Sequence, residues 1–389
     1  MNILYLAVLG ESDKAQTSGV KKKIIDQVIA LNSIKEVECT LRLMVTDSNN
    51  DKSIKTLPSG KLIGIKEINL LRRRKIIFDK YFEAINKEKY DVIYLRYPLS
   101  DPWFYSFLRK LRNDLNVYII VERQSIESVE LLTNITLNKF VKYMFEIFYR
   151  KFTSRLINVH VAVTHEISNS IKKIDKESCV TVMGNGIQYS KSAYRSNWNK
   201  EKNIKLAYIG NIAAWSGLGD LIKSLNSISF LYKGFPVVLE IIGDGAYLND
   251  LKKLAGELKL NKQVVFHGYL LGSKKKSTIE MCDYAIGSLS SLSRGIVEGS
   301  NLKLREYCLI GIPFCKSDYD SDFDQLSVDF ALDIDQKKPL DDQVMAILSS
   351  AVKYKNNKEI SRQMHIYAKN KLDWKIKFKK LFFEIGLIK

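Results

Sequence analysis

The chain of 389 residues has no apolar run reaching the about 18 residues that a membrane-spanning helix requires. Histidine is scarce. The four residues His160, His165, His267 and His365 are scattered, so a zinc site is not expected and the metal assignment is none. The five cysteines, Cys39, Cys179, Cys282, Cys308 and Cys315, are odd in number and show no C-x-x-C spacing. That argues for reduced, buried thiols and against a disulfide framework. The apolar opening, residues 1–10, lacks a basic flank and a small-residue cleavage site, so it is expected to be a first buried strand and not a signal peptide. The expected location is the cytoplasm.

Acidic charge is also in short supply. Lys and Arg outnumber Asp and Glu by 61 to 43, a net charge of +18. Residues 1–200 hold 33 basic against 21 acidic side chains, so most of the excess lies in the first half. A basic face points to an anionic partner such as nucleic acid, acidic lipid or a phosphorylated substrate, with a lysine-rich solvated surface as the alternative. Apolar residues make up 46% and charged residues 27%, an ordinary globular balance that excludes a dominantly disordered chain.

Runs of Val, Ile and Leu recur at 2–9, 37–45, 92–95, 117–121, 159–163 and 181–183, and again at 204–209, 237–242, 264–266, 284–286, 313–315 and 330–334. Runs rich in Val, Ile and Leu of this length mark parallel strands covered by helices on both faces. Helical spacing lies between them: Val20, Ile24, Val28 and Leu31 in the first half, then 248–258, 301–310, 341–355 and 359–371. The polar stretch 190–203 reads as a linker. The predicted fold class is α/β, two Rossmann-like doubly wound domains facing across a cleft, at 1–190 and 200–372, with ligands at the C-terminal strand edges. Length supports two domains rather than one core.

The sharpest local pattern is Glu298-Gly299-Ser300-Asn301-Leu302-Lys303-Leu304-Arg305-Glu306, followed by Gly311 and Pro313. Gly-Ser-Asn suits a turn and a helix N-cap, while Gly311 and Pro313 end the helix ahead of the next strand. The amide end of such a helix favours an anion, and a carboxylate further along accepts hydroxyl groups. This stretch resembles the E-x7-E region of glycosyltransferase family 4, retaining enzymes of the GT-B fold, including its S-x-L-K-L variant. The resemblance implies that Glu306 holds ribose hydroxyls and that Glu298 contacts the donor sugar near the reacting carbon. Lys303 and the amides of Ser300, Asn301 and Leu302 would face the diphosphate and sugar; Glu298 and Lys303 are the expected catalytic pair.

A second glycine turn, Gly210-Asn211, ends the strand at 204–209 and is expected to put backbone amides near a phosphate. The family carries Arg and Lys where this chain has Asn211 and Ser216, so both charges are missing; Lys303 is the expected substitute, ahead of Lys223. Gly243-Asp244-Gly245 resembles the family's I-x-G-x-G segment, and Gly243 is assigned to the donor side. His267 is expected to be structural. In the first half, Gly19 opens the first long helix, like the family's glycine-rich loop. No histidine follows the strand at 117–121, where the family often has one; Glu122, Arg123 and Arg96 are the cleft candidates, each with structural ion pairing as the equal alternative. Met183-Gly184-Asn185-Gly186 resembles the turn that closes the first domain. The alternating Asp318, Asp320, Asp322 and Asp324 lack the glycine and glutamate of a calcium loop and are expected to form an exposed acidic loop.

Along 137–157, Phe140, Met144, Ile147 and Phe148 form one helical stripe, with Lys139, Lys142, Arg150, Lys151 and Arg155 beside it; Arg72-Arg73-Arg74-Lys75 adds a basic run. The stripe either lies on an anionic membrane at the inner face of the cell or packs on the core. The resemblance implies a hexosyltransferase-type enzyme (EC 2.4) moving a sugar from a nucleotide-diphosphate sugar to a glycan or lipid-linked glycan of polysaccharide biosynthesis. Residues 1–190 would take the acceptor, 200–372 the nucleotide sugar, and 373–389 would cross back to the first domain. No cofactor, no obligatory metal and no nucleic-acid partner are expected. A GT-B sugar-nucleotide epimerase, a basic nucleic-acid-binding protein and a non-catalytic scaffold are the rival readings.

Overall fold

A computed structural model describes residues 1–9, 14–45, 60–64, 70–132, 135–290, 293, 295–324 and 328–388. The chain divides into two compact units, Met1–Gly184 with Lys377–Lys389, and Asn185–Ile376.

The first unit is built on β1 (Asn2–Leu9), β2 (Glu38–Val45), β3 (Gly60–Gly64), β4 (Val92–Arg96), β5 (Tyr118–Arg123), β6 (Val159–Ala162) and β7 (Val180–Val182). All pairings are parallel in the order β3-β2-β1-β4-β5-β6-β7, so the winding reverses between β1 and β4. The helices are α1 (Lys14–Asn32), α2 (Leu70–Lys87), α3 (Pro102–Lys110), α4 (Glu127–Leu132), α5 (Leu137–Ser154) and α6 (His165–Ile174). Their starts follow side-chain chemistry. Asp101 accepts the Phe104 amide and precedes a proline at the first turn of α3, and Thr136 and Thr164 cap α5 and α6 in the same manner. Aromatic packing of Phe78 on Phe104 and Phe107, with ring centroids 5.4 and 5.2 Å apart, binds α2 to α3.

The helix predicted to open at Gly19 already begins at Lys14. Gly19 therefore sits in its second turn, exposed, and not in a loop; no proline interrupts residues 14–18, and polarity alone does not stop a helix. Residues 10–13 of the expected glycine-flanked loop fall outside the described residues.

The second unit holds β8 (Ile204–Ile209), β9 (Leu231–Tyr232), β10 (Phe235–Ile242), β11 (Val264–Gly268), β12 (Tyr284–Ile286), β13 (Phe314–Lys316) and β14 (Ala331–Asp333). The order is β11-β10-β8-β12-β13-β14, all parallel, with β9 antiparallel to β10, and the reversal falls between β8 and β12. Around the sheet lie α7 (Leu218–Ser227), α8 (Leu248–Glu257), α9 (Gly272–Glu280), α10 (Leu302–Ile310), α11 (Leu340–Tyr354) and α12 (Lys358–Tyr367). The last helix, α13 (Trp374–Glu384), starts in the second unit and continues in the first, where Phe378 meets Tyr94 edge-on at 5.7 Å. The fold is thus two Rossmann-like parallel-sheet halves.

The stretch 190–203 is not a linker. Arg195 and Asn199 are buried in the second unit. Arg195 donates to the carbonyl oxygens of Glu280 and Cys282, and Asn199 donates to Asp283 at 2.6 Å. Its polar side chains satisfy buried backbone and carboxylate groups rather than water.

Candidate functional site

The switch point between β8 and β12 is where a doubly wound sheet opens for a ligand. β8 ends at Gly210, and the loop that follows is pressed against the end of β10. A Cβ on Gly243 would stand 1.9 Å from the Gly210 carbonyl oxygen, so this contact demands glycine at 243. Gly243 thus acts through the shape of the site wall. Asn211 lies in the same loop, its Oδ1 packed beside Gly245. Ser216 is fully buried and its hydroxyl finds no partner among the described residues, so it supplies neither charge nor contact to a ligand.

Lys303, in the first turn of α10, reaches this edge. Its Nζ lies 4.0 Å from the centre of the Tyr208 ring and 3.8 Å from the position a Cβ would take on Gly210. The ring face holds the ammonium by cation–π attraction. No carboxylate pairs with it among the described residues. Lys303 thus brings a cation to the edge on which Asn211 lies, from 92 positions further along the chain.

α10 itself presents uncapped amides. Asn301 occupies the N-cap position, but its side chain donates to Asp318 Oδ2 at 2.8 Å instead of receiving a helix N–H. The Leu304 amide donates to the Asn301 carbonyl at 3.1 Å, while the Leu302 and Lys303 amides have no partner among the described residues, and a helix N-terminus carries partial positive charge. Gly311, in the left-handed region at φ 90°, closes the other end. Glu306, one turn beyond Lys303, accepts from Lys275 of α9 at 2.7 Å through one carboxylate oxygen. Its other oxygen accepts nothing among the described residues. Glu298 precedes the loop and pairs through its backbone with Tyr319.

The acidic alternation expected to be exposed is largely buried: Asp318 and Asp320 are 3% and 1% accessible. Asp320 and Asp322 bind the guanidinium of Arg305, itself fully buried in α10. Burial alone would lower the Arg305 pKa, but these two carboxylates outweigh it and raise it. The side chain of Asp318 fills the space over Gly299, where a Cβ would come within 1.5 Å of Oδ2. Among the described residues no cluster of three or more acidic, histidine or cysteine side chains could hold a metal.

The first-unit candidates divide. Glu122 is fully buried and its oxygens accept from Lys23 at 2.8 Å, Gln124 at 2.5 Å, Gln27 at 3.2 and 3.3 Å, and Tyr94 at 3.1 Å. Burial pushes its pKa up, yet the Lys23 ion pair and these bonds hold it below the ordinary carboxylate range. Arg123 is likewise buried, 3.7 Å over the Tyr97 ring and 3.2 Å from Glu127. Of the two readings open for these residues, ligand-facing and ion-paired, the described contacts are those of ion pairs, although Arg123 Nε and Nη2 are buried with no hydrogen-bond partner among the described residues. Burial, only partly offset by Arg123, pushes Glu127 up to about 7. Arg96, half-buried at the end of β4, makes no hydrogen bond or ion pair among the described residues.

The second-unit residues Gly210, Asn211, Gly243, Ser300, Asn301, Leu302, Lys303 and Glu306 therefore sit on the edges of β8 and β10 and on the first turns of α10. Lys275, Asp318, Asn185 and Arg305 support them and were not singled out as site residues from sequence. The contacts that tie them to the site span 17 to 120 residues; Arg305 stood inside the E-x7-E run, Asn185 in the turn read as closing the first domain and Asp318 in the acidic alternation, while Lys275 had no signal.

Residues 190–327 match the family described as Glycosyl transferases group 1. The Uncharacterized glycosyltransferase MJ1069 of Methanocaldococcus jannaschii is 28% identical over 151 residues, which are 36% of this chain and 38% of that protein. The chain thus matches well under half the length of this curated relative. Among solved structures, sucrose-phosphate synthase from Thermosynechococcus elongatus aligns with a TM-score of 0.68 at 13% identity over 99% of both chains. Anabaena Alr3699/HepE in complex with UDP aligns at 0.66 and 14% over 100% of both, and the lipopolysaccharide outer core galactosyltransferase WaaB at 0.62 and 14% over 99% of both. At these identities the likeness is one of fold. The chain shares the two-unit fold of these structures, and its residues 190–327 match the Glycosyl transferases group 1 family.

Proposed function

We propose that this protein is a retaining, family 4 glycosyltransferase that moves a hexose from a nucleotide-diphosphate sugar to a glycan or lipid-linked glycan. The observation that carries this reading is the Lys303 ammonium, unpaired among the described residues, standing over Gly210 beside the open amides of α10. A cation and several N–H groups converging on one point suit a diphosphate leaving group. We assign the second oxygen of Glu306, whose partner oxygen accepts from Lys275, to the ribose hydroxyls, and Glu298 to the donor sugar.

In the reaction, the bond from the anomeric carbon to the diphosphate breaks while the acceptor oxygen bonds to that carbon on the same face. The acceptor proton passes to the departing phosphate oxygen. The protein orients both reactants and neutralises the charge that grows on the diphosphate. We assign that neutralisation to Lys303 and the amides, with no metal, and the acceptor to the first unit. Relatives of this fold solved with UDP and with UDP-glucose make uridine the first base to test.

We also propose contact with an anionic membrane. The stripe on α5 faces outward: Leu137, Phe140 and Phe148 are 80%, 49% and 65% accessible. Packing on the core is left to the opposite side, through Glu146, Thr153 and Ser154. Burial, with the neighbouring Arg74, Arg73 and Lys139 adding to it, pushes the Lys142 ammonium below its ordinary range. Each such cation adds about 1 kcal/mol near an anionic surface.

The test is turnover. The native protein is incubated with UDP-, GDP- and ADP-hexoses and lipid-linked acceptors, and the product anomer is read by NMR. A retained anomer with nucleoside diphosphate released, unchanged by EDTA, supports the proposal. An inverted anomer, or an epimerised donor with no acceptor consumed, refutes it. Sedimentation with phosphatidylglycerol vesicles, weakened in Phe148→Glu and absent with phosphatidylcholine, tests the membrane contact.

A further inference from the structure

The turn Met183-Gly184-Asn185-Gly186 marks the passage between units, and the second unit begins at Asn185. This residue is bonded directly to the loop that leads into α10. The Asn185 amide donates to Ser300 Oγ at 2.6 Å, and its side-chain nitrogen donates to the Ser300 carbonyl at 2.5 Å. Its own carbonyl accepts from Arg305 Nε at 2.8 Å. Arg305 Nη1 reaches the Asn301 carbonyl at 3.3 Å, while the rest of its guanidinium is held by Asp320 and Asp322. The loop is gripped on its remaining side by Asp318 and by the Gly299 amide donating to the Tyr319 carbonyl at 2.8 Å.

The pattern is more than tight packing. Asn185 is nine-tenths buried, and among the described residues its Oδ1 has no hydrogen-bond partner and its side chain makes one bond, to the Ser300 carbonyl. Leaving a buried acceptor unmatched is unfavourable, and the remaining bond must hold the side chain in place. The neighbouring residues lock the turn further. Ile187 exchanges backbone bonds with Leu372 at 2.8 Å and Trp374 at 3.1 Å, and Gly186 leaves room for the Trp374 ring. The two segments of the second unit that adjoin its connections to the first are thus tied to one another, and Asn185 extends that tie to Ser300.

We infer that Asn185 and Arg305 are positioning residues for the proposed donor site: together they fix the 298–301 loop, and through it the Glu298 carboxylate and the amide end of α10. This inference rests on the donor-site reading above. Neither side chain needs to touch the nucleotide. Glu306 and Lys303 are held by Lys275 and by the Tyr208 ring, contacts that do not pass through the loop. Loosening the loop should therefore spare binding of the free nucleoside diphosphate and damage cleavage of the donor, because a misplacement of about 1 Å costs on the order of 100-fold in rate.

The experiment compares the native protein with Asn185→Ala, Ser300→Ala, Ser300→Thr, the double Ala variant and Glu306→Ala. UDP affinity is measured by calorimetry and UDP-glucose cleavage by release of UDP, with melting temperature recorded for each. The expected result is a kcat lowered roughly 10- to 100-fold in both single Ala variants, with UDP affinity within about threefold of native. Ser300→Thr, which restores the hydroxyl acceptor, should recover most of that loss. The double variant should be little worse than the poorer single one, because both remove the same grip. Native UDP binding that Glu306→Ala abolishes, combined with native kcat in Asn185→Ala and Ser300→Ala, overturns the inference and leaves the donor site standing. Failure of the native protein to bind UDP, GDP or ADP removes the donor site and the inference together. If Asn185→Ala does not fold, the half-buried Ser300 pair of variants decides the matter.

Discussion

Removing the Lys303 ammonium while keeping the length of the side chain, in Lys303→Met, should weaken nucleoside diphosphate binding far more than it disturbs the fold. Nζ lies 4.0 Å from the Tyr208 ring centre and forms no ion pair among the described residues, so the fold loses little but a cation–π contact. A phosphate charge about 4 Å away, at an effective dielectric of about 20, would attract it by about 4 kcal/mol before desolvation. Lys303 is only partly buried, and water competes. The net value should lie near that of a hydrogen bond to a charged group, about 1.5–3 kcal/mol, or roughly 10- to 150-fold in Kd. Calorimetry with UDP and GDP reads this directly, with Lys253→Met on the solvent face of α8 as the control for general charge. The native affinity should also fall more steeply with salt than that of the variant. A Kd for Lys303→Met within twofold of native would refute the assignment of the missing charge to this residue.

Two further predictions concern the framework. Arg305→Met leaves the buried Asp320 and Asp322 carboxylates without their cation, and stability should fall by about 3–5 kcal/mol in urea unfolding; a loss under about 1 kcal/mol contradicts the burial argument. His160 is fully buried, and desolvation, with Arg123 adding to it, depresses its pKa to about 3. A folded pKa below the unfolded value means that stability is present above about pH 6.5 and is lost as pH falls towards 3, by about 3 kcal/mol at pH 4.5. His160→Asn should flatten that slope between pH 6.5 and 4.5, and an unchanged slope would assign acid sensitivity elsewhere.

The strand order of both sheets grows from features the sequence displays openly. β8 and β10 are rich in Val, Ile and Leu because helices cover both faces, and α10 announces its end with Gly311 and Pro313. Long-range pairing was illegible. Polarity at 190–203 suggested solvent, yet Arg195 finds its carbonyls 85 and 87 residues away. The aspartates at 318–324 suggested an exposed loop because nothing nearby reveals that Arg305 is buried against them. Glu122 invited a ligand role, while its ion pair with Lys23 spans 99 residues. A similar distance separates Asn211 from Lys303, whose ammonium stands over Gly210 from α10. Local pattern identifies elements; it does not say which side chain fills a space left by another.

The account stands or falls on nucleotide binding at Glu306. Melting temperature should be followed with UDP, GDP, ADP and CMP for the native protein and for Glu306→Ala. The account predicts a rise with one nucleoside diphosphate, growing with its concentration and lost in the variant. At 100 times the Kd, ligand binding stabilises the native state by about 2.7 kcal/mol. No shift with any of the four at millimolar concentration, or an equal shift in Glu306→Ala, would contradict it.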